Sequence, residues 1–165
     1  MIEWKKGGEF MIYVTYYHSP IGWIEINTTA EAVVKVTFLD EQVPETVIKD
    51  EHPLLKKTVK QLDEYFKGKR KEFDLPILLK ATEFGLNVLK QVNTIPYGTT
   101  QSYKEIAKAI GNEKAVRAVG SSNRKNNLLL IVPCHRVIAS DHSLSGYAGG
   151  IWRKEWLLNN EKDAQ

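Results

Sequence analysis

Apolar and β-branched residues cluster in three short segments near the start of the chain, at 11–17, 21–26 and 33–38. Pro20 and Gly22 mark the turn between the first two segments, and polar residues separate the second from the third. Short runs of this composition, bounded by turn-forming residues, are typical of neighbouring antiparallel strands. The pattern therefore predicts a small antiparallel sheet at the N-terminal end.

A single helix is predicted after this sheet, over about residues 53–67. Pro53 suits the first turn of a helix, Gly68 suits its end, and apolar residues recur between them at spacings of three and four. These apolar residues are Leu55, Val59, Leu62 and Phe66. A short extended stretch is expected at 73–79, and we place a domain boundary near residue 80.

The rest of the chain has the periodicity of helices. One helix is predicted at about 82–94. A second begins at Ser102, because the pair Ser102 and Glu105 forms a capping-box pattern ahead of an apolar face. A third helix is expected from about 114 to 123. Two helices joined by a short turn that contains glycine are the plan of a helix-turn-helix.

The two predicted domains differ in charge as well as in periodicity. Residues 1–80 carry 12 Lys and Arg and 13 Asp and Glu, whereas residues 81–165 carry 11 and 7. No acidic residue occurs between Glu113 and Asp141. A basic stretch without acids suits a polyanion, although charge alone equally fits a solvated surface. The sequence thus predicts an α+β protein: a sheet-and-helix domain at 1–80 as structural support, then a mainly helical functional domain with a helix-turn-helix at 81–165.

The composition is that of a soluble globular protein, with 42% hydrophobic and 26% charged residues. No apolar run approaches the roughly 20 residues that span a bilayer, and the first residues lack a secretory signal. The chain has one cysteine, which fits a reducing compartment, and its four histidines show no metal-ligand spacing. We therefore expect a cytoplasmic protein without a metal. No nucleotide-binding glycine motif is present, so no cofactor is predicted either.

The single cysteine, Cys134, follows the apolar run 128–132, which is either a buried strand or another segment of the core. Pro133 ends regular pairing and presents the next side chain at the end of this packed element. A lone cysteine is commonly a small buried hydrophobe. Here, however, His135 and Arg136 follow directly, and a nearby imidazole or cation raises the thiolate fraction. We therefore expect Cys134 to be a nucleophile poised as a thiolate, with His135 as its base through a bridging water.

The segment Ile131-Val132-Pro133-Cys134-His135-Arg136-Val137-Ile138 strongly resembles the active-site signature of the O6-alkylguanine-DNA alkyltransferases, also called methylated-DNA–protein-cysteine methyltransferases. Further matches follow the family's order and spacing through the second half, whereas the first half matches only in outline. They are 95–98, Ser102-Tyr103, 118–120, Asn126, 145–147 and 155–158.

The resemblance implies DNA repair by a monomeric suicide methyltransferase that binds the minor groove of double-stranded DNA. Such a protein flips the alkylated nucleotide out of the duplex, because the reactive carbon is otherwise out of reach. It then moves the alkyl group irreversibly onto its own cysteine, once per protein molecule. O6-methylguanine is the expected lesion, and O4-methylthymine is a second candidate.

Catalytic roles also follow from the resemblance. Cys134 would accept the alkyl group, His135 would take its proton through a water, and Glu161 would orient His135. Asn126 would support the chain around the cysteine. Tyr103 would rotate the target nucleotide by crowding its 3′ phosphate and would donate a proton to the leaving guanine.

The third helix would supply the minor-groove contact, with Arg117 filling the gap that the displaced base leaves. The residues assigned to DNA are Arg117, Ala118, Ser121, Arg124, Lys125 and Arg136. On the same helix, Val116 and Val119 are expected to face inward. The loop 143–149 would wall the base pocket. Its assigned pocket residues are Ser145, Gly146, Tyr147 and Ala148.

Two other classes of protein remain open on the sequence alone. A helix-turn-helix DNA-binding module without alkyl transfer would keep its activity when Cys134 is replaced by alanine, and would usually dimerise across two half-sites. A cysteine hydrolase acting on small esters or peptides would turn over without DNA and needs no basic helix.

Overall fold

The computed structural model describes residues 3–5, 11–46 and 49–164. The chain divides into two compact units, 1–80 and 81–165. Among the helices in the described ranges, none is both long enough and apolar enough to cross a membrane.

The N-terminal unit is built on a five-stranded sheet. The predicted antiparallel meander is present as β2 (Tyr13–Ser19), β3 (Gly22–Thr28) and β4 (Val33–Leu39). The extended stretch contains β5 (Pro76–Leu78), which pairs in parallel with β4 and with β1 (Glu3–Lys5). The strand order is β1-β5-β4-β3-β2. β1 was not predicted from the sequence, and the parallel pairing of β5 with both of its neighbours makes the sheet mixed rather than antiparallel throughout.

The helix α1 (Pro53–Phe66) packs on this sheet. The Nδ1 atom of His52 accepts a hydrogen bond from the Leu54 N–H at 3.3 Å and caps the first turn. Gly68 ends the helix, as predicted, because its positive φ of 72° turns the chain back. Three of the four predicted apolar residues are buried, whereas Val59 is only half-buried, and three further residues join the buried face. It comprises Leu55, Thr58, Gln61, Leu62, Tyr65 and Phe66.

The second unit contains the predicted helix-turn-helix. Three helices pack against one another: α2 (Glu83–Val92), α3 (Tyr103–Ala109) and α4 (Val116–Arg124). The Ser102 hydroxyl accepts a hydrogen bond from the Glu105 N–H at 3.0 Å, so the helix start expected from the capping-box pattern is confirmed. Gly111, with a φ of 80°, turns the chain between α3 and α4.

A short parallel strand pair joins the helix-turn-helix to the segment that carries the cysteine. It consists of β6 (Gln101–Ser102) and β7 (Val137–Ile138), with Ser102 opposite Ile138. A further helix, α5 (Ile151–Asp163), follows, and it was not predicted from the sequence. The pairing of β6 with β7 brings the start of α3 close to the chain that leaves the cysteine.

Candidate active site around Cys134

Cys134 opens a single turn of 3-10 helix, Cys134–Arg136, that leads directly into β7. The apolar run 128–132 before it is buried, but it forms turns instead of a strand. Backbone bonds from Ile131 to Leu129 and from Val132 to Leu128, both 2.9 Å, fold the run back on itself. The sequence left open whether this run is a buried strand or another segment of the core, and the structure shows the second.

Two buried amide side chains fix this turn and the cysteine backbone. Asn126 accepts the Leu128 N–H at its Oδ1 and donates from Nδ2 to the Val132 carbonyl, both at 2.9 Å. Asn123 donates from Nδ2 to the Cys134 carbonyl at 3.1 Å. These bonds satisfy backbone groups that a strand ladder would otherwise have paired.

His135 and Glu161 form a hydrogen-bonded pair with no exposed surface on either side chain. Nε2 of His135 lies 2.6 Å from Oε2 of Glu161. Burial, with the nearby positive charges of Arg136 and Lys154, holds the pKa of His135 below its usual value despite the contact with Glu161, so the imidazole is neutral at neutral pH. Burial alone would raise the pKa of Glu161, but the contacts with His135 and Arg136 hold it well below its usual range. The pair is therefore a neutral imidazole on an ionised carboxylate.

This pairing fixes the tautomer of His135. An ionised carboxylate can only accept, so Nε2 must carry the proton and Nδ1 must carry the lone pair. Nδ1 is buried and has no hydrogen-bond partner among the described residues. Leaving a buried basic nitrogen without a hydrogen-bond partner costs free energy, so its presence in the folded protein points to a function. His135 is thus arranged to accept a proton at Nδ1.

Cys134 was expected to be poised as a thiolate, and the structure contradicts this expectation. The side chain is only 1% exposed. Burial raises the pKa of the thiol to about 11, although hydrogen bonding from Asn126 and the positive charge of Lys154 oppose the rise. At pH 7 only about one sulfur in ten thousand is then ionised. A nucleophilic role for this thiol would therefore require a base.

Arg136 was assigned to DNA, and the structure contradicts this assignment. The side chain is buried, and it donates from Nε to Glu161 at 2.8 Å, from Nη2 to Glu161 at 3.1 Å and from Nη1 to the Ile95 carbonyl at 2.8 Å. A buried guanidinium that is held by these three hydrogen bonds cannot reach a phosphate. Its role is to stabilise the Glu161 carboxylate, together with the Gly98 N–H, which lies 3.3 Å from Oε1.

A cleft of about 390 Å³ opens between the helix-turn-helix and the loop after β7. Its lining residues are Tyr103, Val116, Arg117, Gly120, Arg124, Ser145 and Gly146. Tyr103 donates a hydrogen bond from Oη to the Ser145 carbonyl at 3.0 Å, so it links α3 to the loop. Gly146 has a φ of 67°, and a Cβ there would lie 3.4 Å from the Tyr103 Oη. The cleft thus combines residues assigned to catalysis, to DNA and to the base pocket.

The other two residues assigned to the base pocket lie outside that lining. Tyr147 is buried, its ring centroid lies 6.4 Å from that of His135, and its hydroxyl has no partner among the described residues. Ala148 is exposed. Of the four assigned residues, Ser145 and Gly146 therefore face the cleft, while Tyr147 lies beside the imidazole.

The exposed side of α4 is basic, as expected. Four residues assigned to DNA are exposed and one is half-buried. The exposed residues are Arg117, Ala118, Arg124 and Lys125, and the half-buried one is Ser121.

Val119 is buried as predicted, but Val116 is 36% exposed and lines the cleft, so its predicted inward orientation is wrong. The helix begins at Val116, and a first residue has no preceding turn to cover it.

Two buried polar residues near Cys134 were not identified from the sequence. Asn123 lies on the inward face of α4, one turn after the buried Val119. Lys154 on α5 is fully buried, in line with Leu157 and Glu161 at spacings of three and four. A polar residue in register with a buried apolar residue, Val119 in one helix and Leu157 in the other, could have marked both positions. Within residues 3–5, 11–46 and 49–164, no group of three or more His, Cys, Asp or Glu side chains could hold a metal ion.

Two family models match the chain. "6-O-methylguanine DNA methyltransferase, ribonuclease-like domain" matches residues 12–79, and "6-O-methylguanine DNA methyltransferase, DNA binding domain" matches residues 83–163. The constitutive methylated-DNA–protein-cysteine methyltransferase of Bacillus subtilis is 42% identical over 159 residues, which cover 92% of this chain and 96% of that protein.

Solved structures show the same similarity. The crystal structure of the Mycobacterium tuberculosis O6-methylguanine methyltransferase is 39% identical, with a TM-score of 0.84 over 94% of this chain and 95% of that one. A crystal structure of the M. tuberculosis OGT in complex with DNA is 40% identical, with a TM-score of 0.82 over 90% and 92% of the two chains.

Proposed function

The chain belongs to the 6-O-methylguanine DNA methyltransferase family, and we infer from this that it repairs DNA by transferring an alkyl group from O6-alkylguanine to its own cysteine. Cys134 is the only cysteine, so it is the acceptor. The observation that carries the chemical proposal is the buried pair of Glu161 and His135 next to this cysteine, with Nδ1 of His135 left open.

The proposed reaction has one displacement step. The proton of the Cys134 thiol moves through a water molecule to Nδ1 of His135, while Glu161 stabilises the imidazolium that forms. The sulfur forms a bond to the alkyl carbon as the bond between that carbon and O6 breaks. The electron pair of the broken bond stays on the guanine, which takes up a proton from Tyr103. The Tyr103 phenolate then regains a proton from solvent, and the His135 imidazolium releases one to solvent. The product is a thioether, and no second nucleophile is proposed to release it, so each molecule acts once.

The cleft supports the proposal that the alkylated base enters between α4 and the loop after β7. Its lining combines apolar surface with the cations Arg117 and Arg124, which suits an extruded base and its flanking phosphates. Arg117 on the exposed side of α4 would fill the gap in the duplex, and Arg124 and Lys125 would bind the backbone. Tyr103 would crowd the 3′ phosphate.

The proposal also covers the oligomeric state, the compartment, the role of the first unit and a second lesion. We propose a monomer in the cytoplasm, because the acceptor thiol must stay reduced and the reaction requires no partner subunit. The unit 1–80 would support the reactive unit 81–165 without taking part in the chemistry. O4-methylthymine is a second candidate lesion, and no cofactor is needed for the displacement.

A repair assay with excess lesion tests this function. Duplex DNA carrying O6-methylguanine is incubated in tenfold excess with the protein, and the restored guanine is quantified over time. We expect the amount to reach a plateau equal to the amount of folded protein. Cys134→Ala should restore no guanine while still binding the lesion. A DNA-binding module without transfer would restore none with either protein, and a true turnover enzyme would exceed the plateau.

A further inference from the structure

The first unit divides its charge between a basic and an acidic part, although its net charge is close to zero. Residues 53–71, which comprise α1 and the turn after it, carry seven Lys and Arg and two Asp and Glu, a net charge of +5. Residues 11–52, which include β2 to β4, carry two and seven, a net charge of −5. The helix side of this unit is therefore strongly basic.

The solvent side of α1 consists of lysines. The opposite side of the helix is buried against the sheet. Lys56, Lys57 and Lys60 are exposed, and their spacings of three and four residues place them on one face. We call these three residues the lysine face. Lys67 and Lys69 are also exposed, directly after the last turn of the helix.

The two acids of α1 are engaged elsewhere and do not neutralise the lysine face. Asp63 binds the Lys67 ammonium at 2.7 Å and accepts a hydrogen bond from the Tyr17 hydroxyl at 2.9 Å. Glu64 lies 3.5 Å from the Arg70 guanidinium. In the described part of the chain, no carboxylate lies within ion-pair distance of the lysine face. Its three charges are thus free to bind an external anion.

The lysine face is unfavourable for the helix itself. Like charges four residues apart, such as those of Lys56 and Lys60, repel each other. The start of a helix favours acids, yet α1 has none in its first turn. A helix that is merely solvated typically mixes charges of both signs, which pair along its surface. A polyanion would relieve the repulsion within a surface of one sign.

We propose that the lysine face is a second DNA-contact surface, separate from α4, that binds the phosphate backbone of duplex DNA whether or not a lesion is present. The partner rests on the proposed function, which already brings the chain to duplex DNA. Between Lys56 and Lys67 the chain rises about 16 Å along the helix axis. A duplex of that length carries about ten phosphate charges, enough to engage every lysine of the face.

The test measures binding of a lesion-free duplex by fluorescence anisotropy between about 50 and about 200 mM salt, the range over which phosphate contacts weaken strongly. The lysine variant carries Lys56→Gln, Lys57→Gln and Lys60→Gln. The acid variant carries Glu31→Gln, Glu41→Gln and Glu45→Gln. These acids are exposed in the same unit. A combined variant carries both sets, so its net charge equals that of the wild type. Titration with O6-benzylguanine, followed by intact mass, gives the active fraction to which each binding curve is normalised.

We expect the lysine variant to bind the duplex about tenfold more weakly, or worse, at the lowest salt. Each phosphate contact contributes about 0.9 to the slope of log affinity against log salt, so its slope should be shallower by about two to three. The acid variant should keep the wild-type slope. The combined variant should show the same loss as the lysine variant, because the loss comes from the face and not from the net charge.

A lysine variant with the wild-type affinity and slope would overturn the inference. A combined variant that regains the wild-type affinity would also overturn it, since net charge alone would then explain the binding. Sedimentation velocity without DNA tests the other candidate partner, the acidic part of a second copy of this chain. Loss of self-association in a lysine variant that binds DNA normally would assign the face to that copy and overturn the DNA contact. A wild-type protein that binds DNA but never gains an alkyl group would instead refute the proposed repair reaction and leave the lysine face in place.

Discussion

Glu161→Gln tests how the buried pair activates the cysteine. The change keeps the size of the side chain and removes the charge. Glu161 accepts from His135 at 2.6 Å, from Arg136 at 2.8 and 3.1 Å and from the Gly98 N–H at 3.3 Å. A glutamine amide can donate to Nε2 of His135, which would move the imidazole proton to Nδ1. His135 would then have no lone pair for the thiol proton.

The size of the effect follows from the buried thiol. With a pKa of about 11, Cys134 is ionised in only about one molecule in ten thousand at pH 7. A well-placed general base typically contributes about a hundredfold to ten-thousandfold in rate. We therefore expect Glu161→Gln to slow alkylation by a factor in that range. The remaining rate should rise about tenfold per pH unit between pH 6 and 8, because only the thiolate then reacts.

The substitution should also destabilise the protein, because it leaves the buried Arg136 guanidinium without its counter-ion. Removing one partner of a buried ion pair typically costs about 3–5 kcal/mol. Single-turnover reaction with O6-benzylguanine, followed by intact mass and normalised to the folded fraction, separates the rate from the stability. Glu155→Gln is the control, since Glu155 is exposed on the same helix. A folded Glu161→Gln protein that reacts within threefold of the wild-type rate would refute the base mechanism.

Four further outcomes are expected. Arg117→Ala should weaken binding and repair of duplex lesions yet leave the reaction with free O6-benzylguanine unchanged; equal losses in both assays would make Arg117 structural. Gly146→Ala should lower the free energy of unfolding by about 1–2 kcal/mol in urea titrations, because its φ of 67° disfavours a side chain, and unchanged stability would contradict this. Asn126→Ala should cost about 1–3 kcal/mol by leaving buried backbone groups unpaired, measured in the same way, with the exposed Asn112→Ala as control. Because the folded-state pKa of Glu161 is depressed from 4.5, its contribution to stability is present above about pH 4.5 and is lost as the pH falls; urea titrations should show that loss in the wild type, and Glu161→Gln should lose less on acidification.

Local patterns were enough to predict much of the fold. The meander, α1 and the helix-turn-helix have regular apolar periodicity, and the Ser102 cap and Gly68 each act within a few residues of the chain. β1 and α5 were not predicted. β1 has only three residues and pairs with a strand more than 70 positions away. In α5, buried Lys154 and Glu161 interrupt the apolar stripe that would identify an inward face.

The reactive segment was located from the sequence, but its electrostatic state was not. Arg136 was assigned to DNA as one of the cations of the acid-free stretch between Glu113 and Asp141, but its partner Glu161 lies 25 positions away. The high pKa of Cys134 has the same origin, since it depends on what buries the sulfur rather than on its neighbours in the chain. Charges that are paired or desolvated by distant segments cannot be read from local sequence.

Peptide mapping after reaction with methylated duplex DNA tests the central claim most directly. The protein is incubated with duplex DNA carrying O6-methylguanine, digested, and its peptides are sequenced by mass spectrometry. A single added methyl group on the Cys134 sulfur, in proportion to the guanine restored, is the predicted result. Guanine restored without that modification, or a methyl group found on another side chain, would contradict the account.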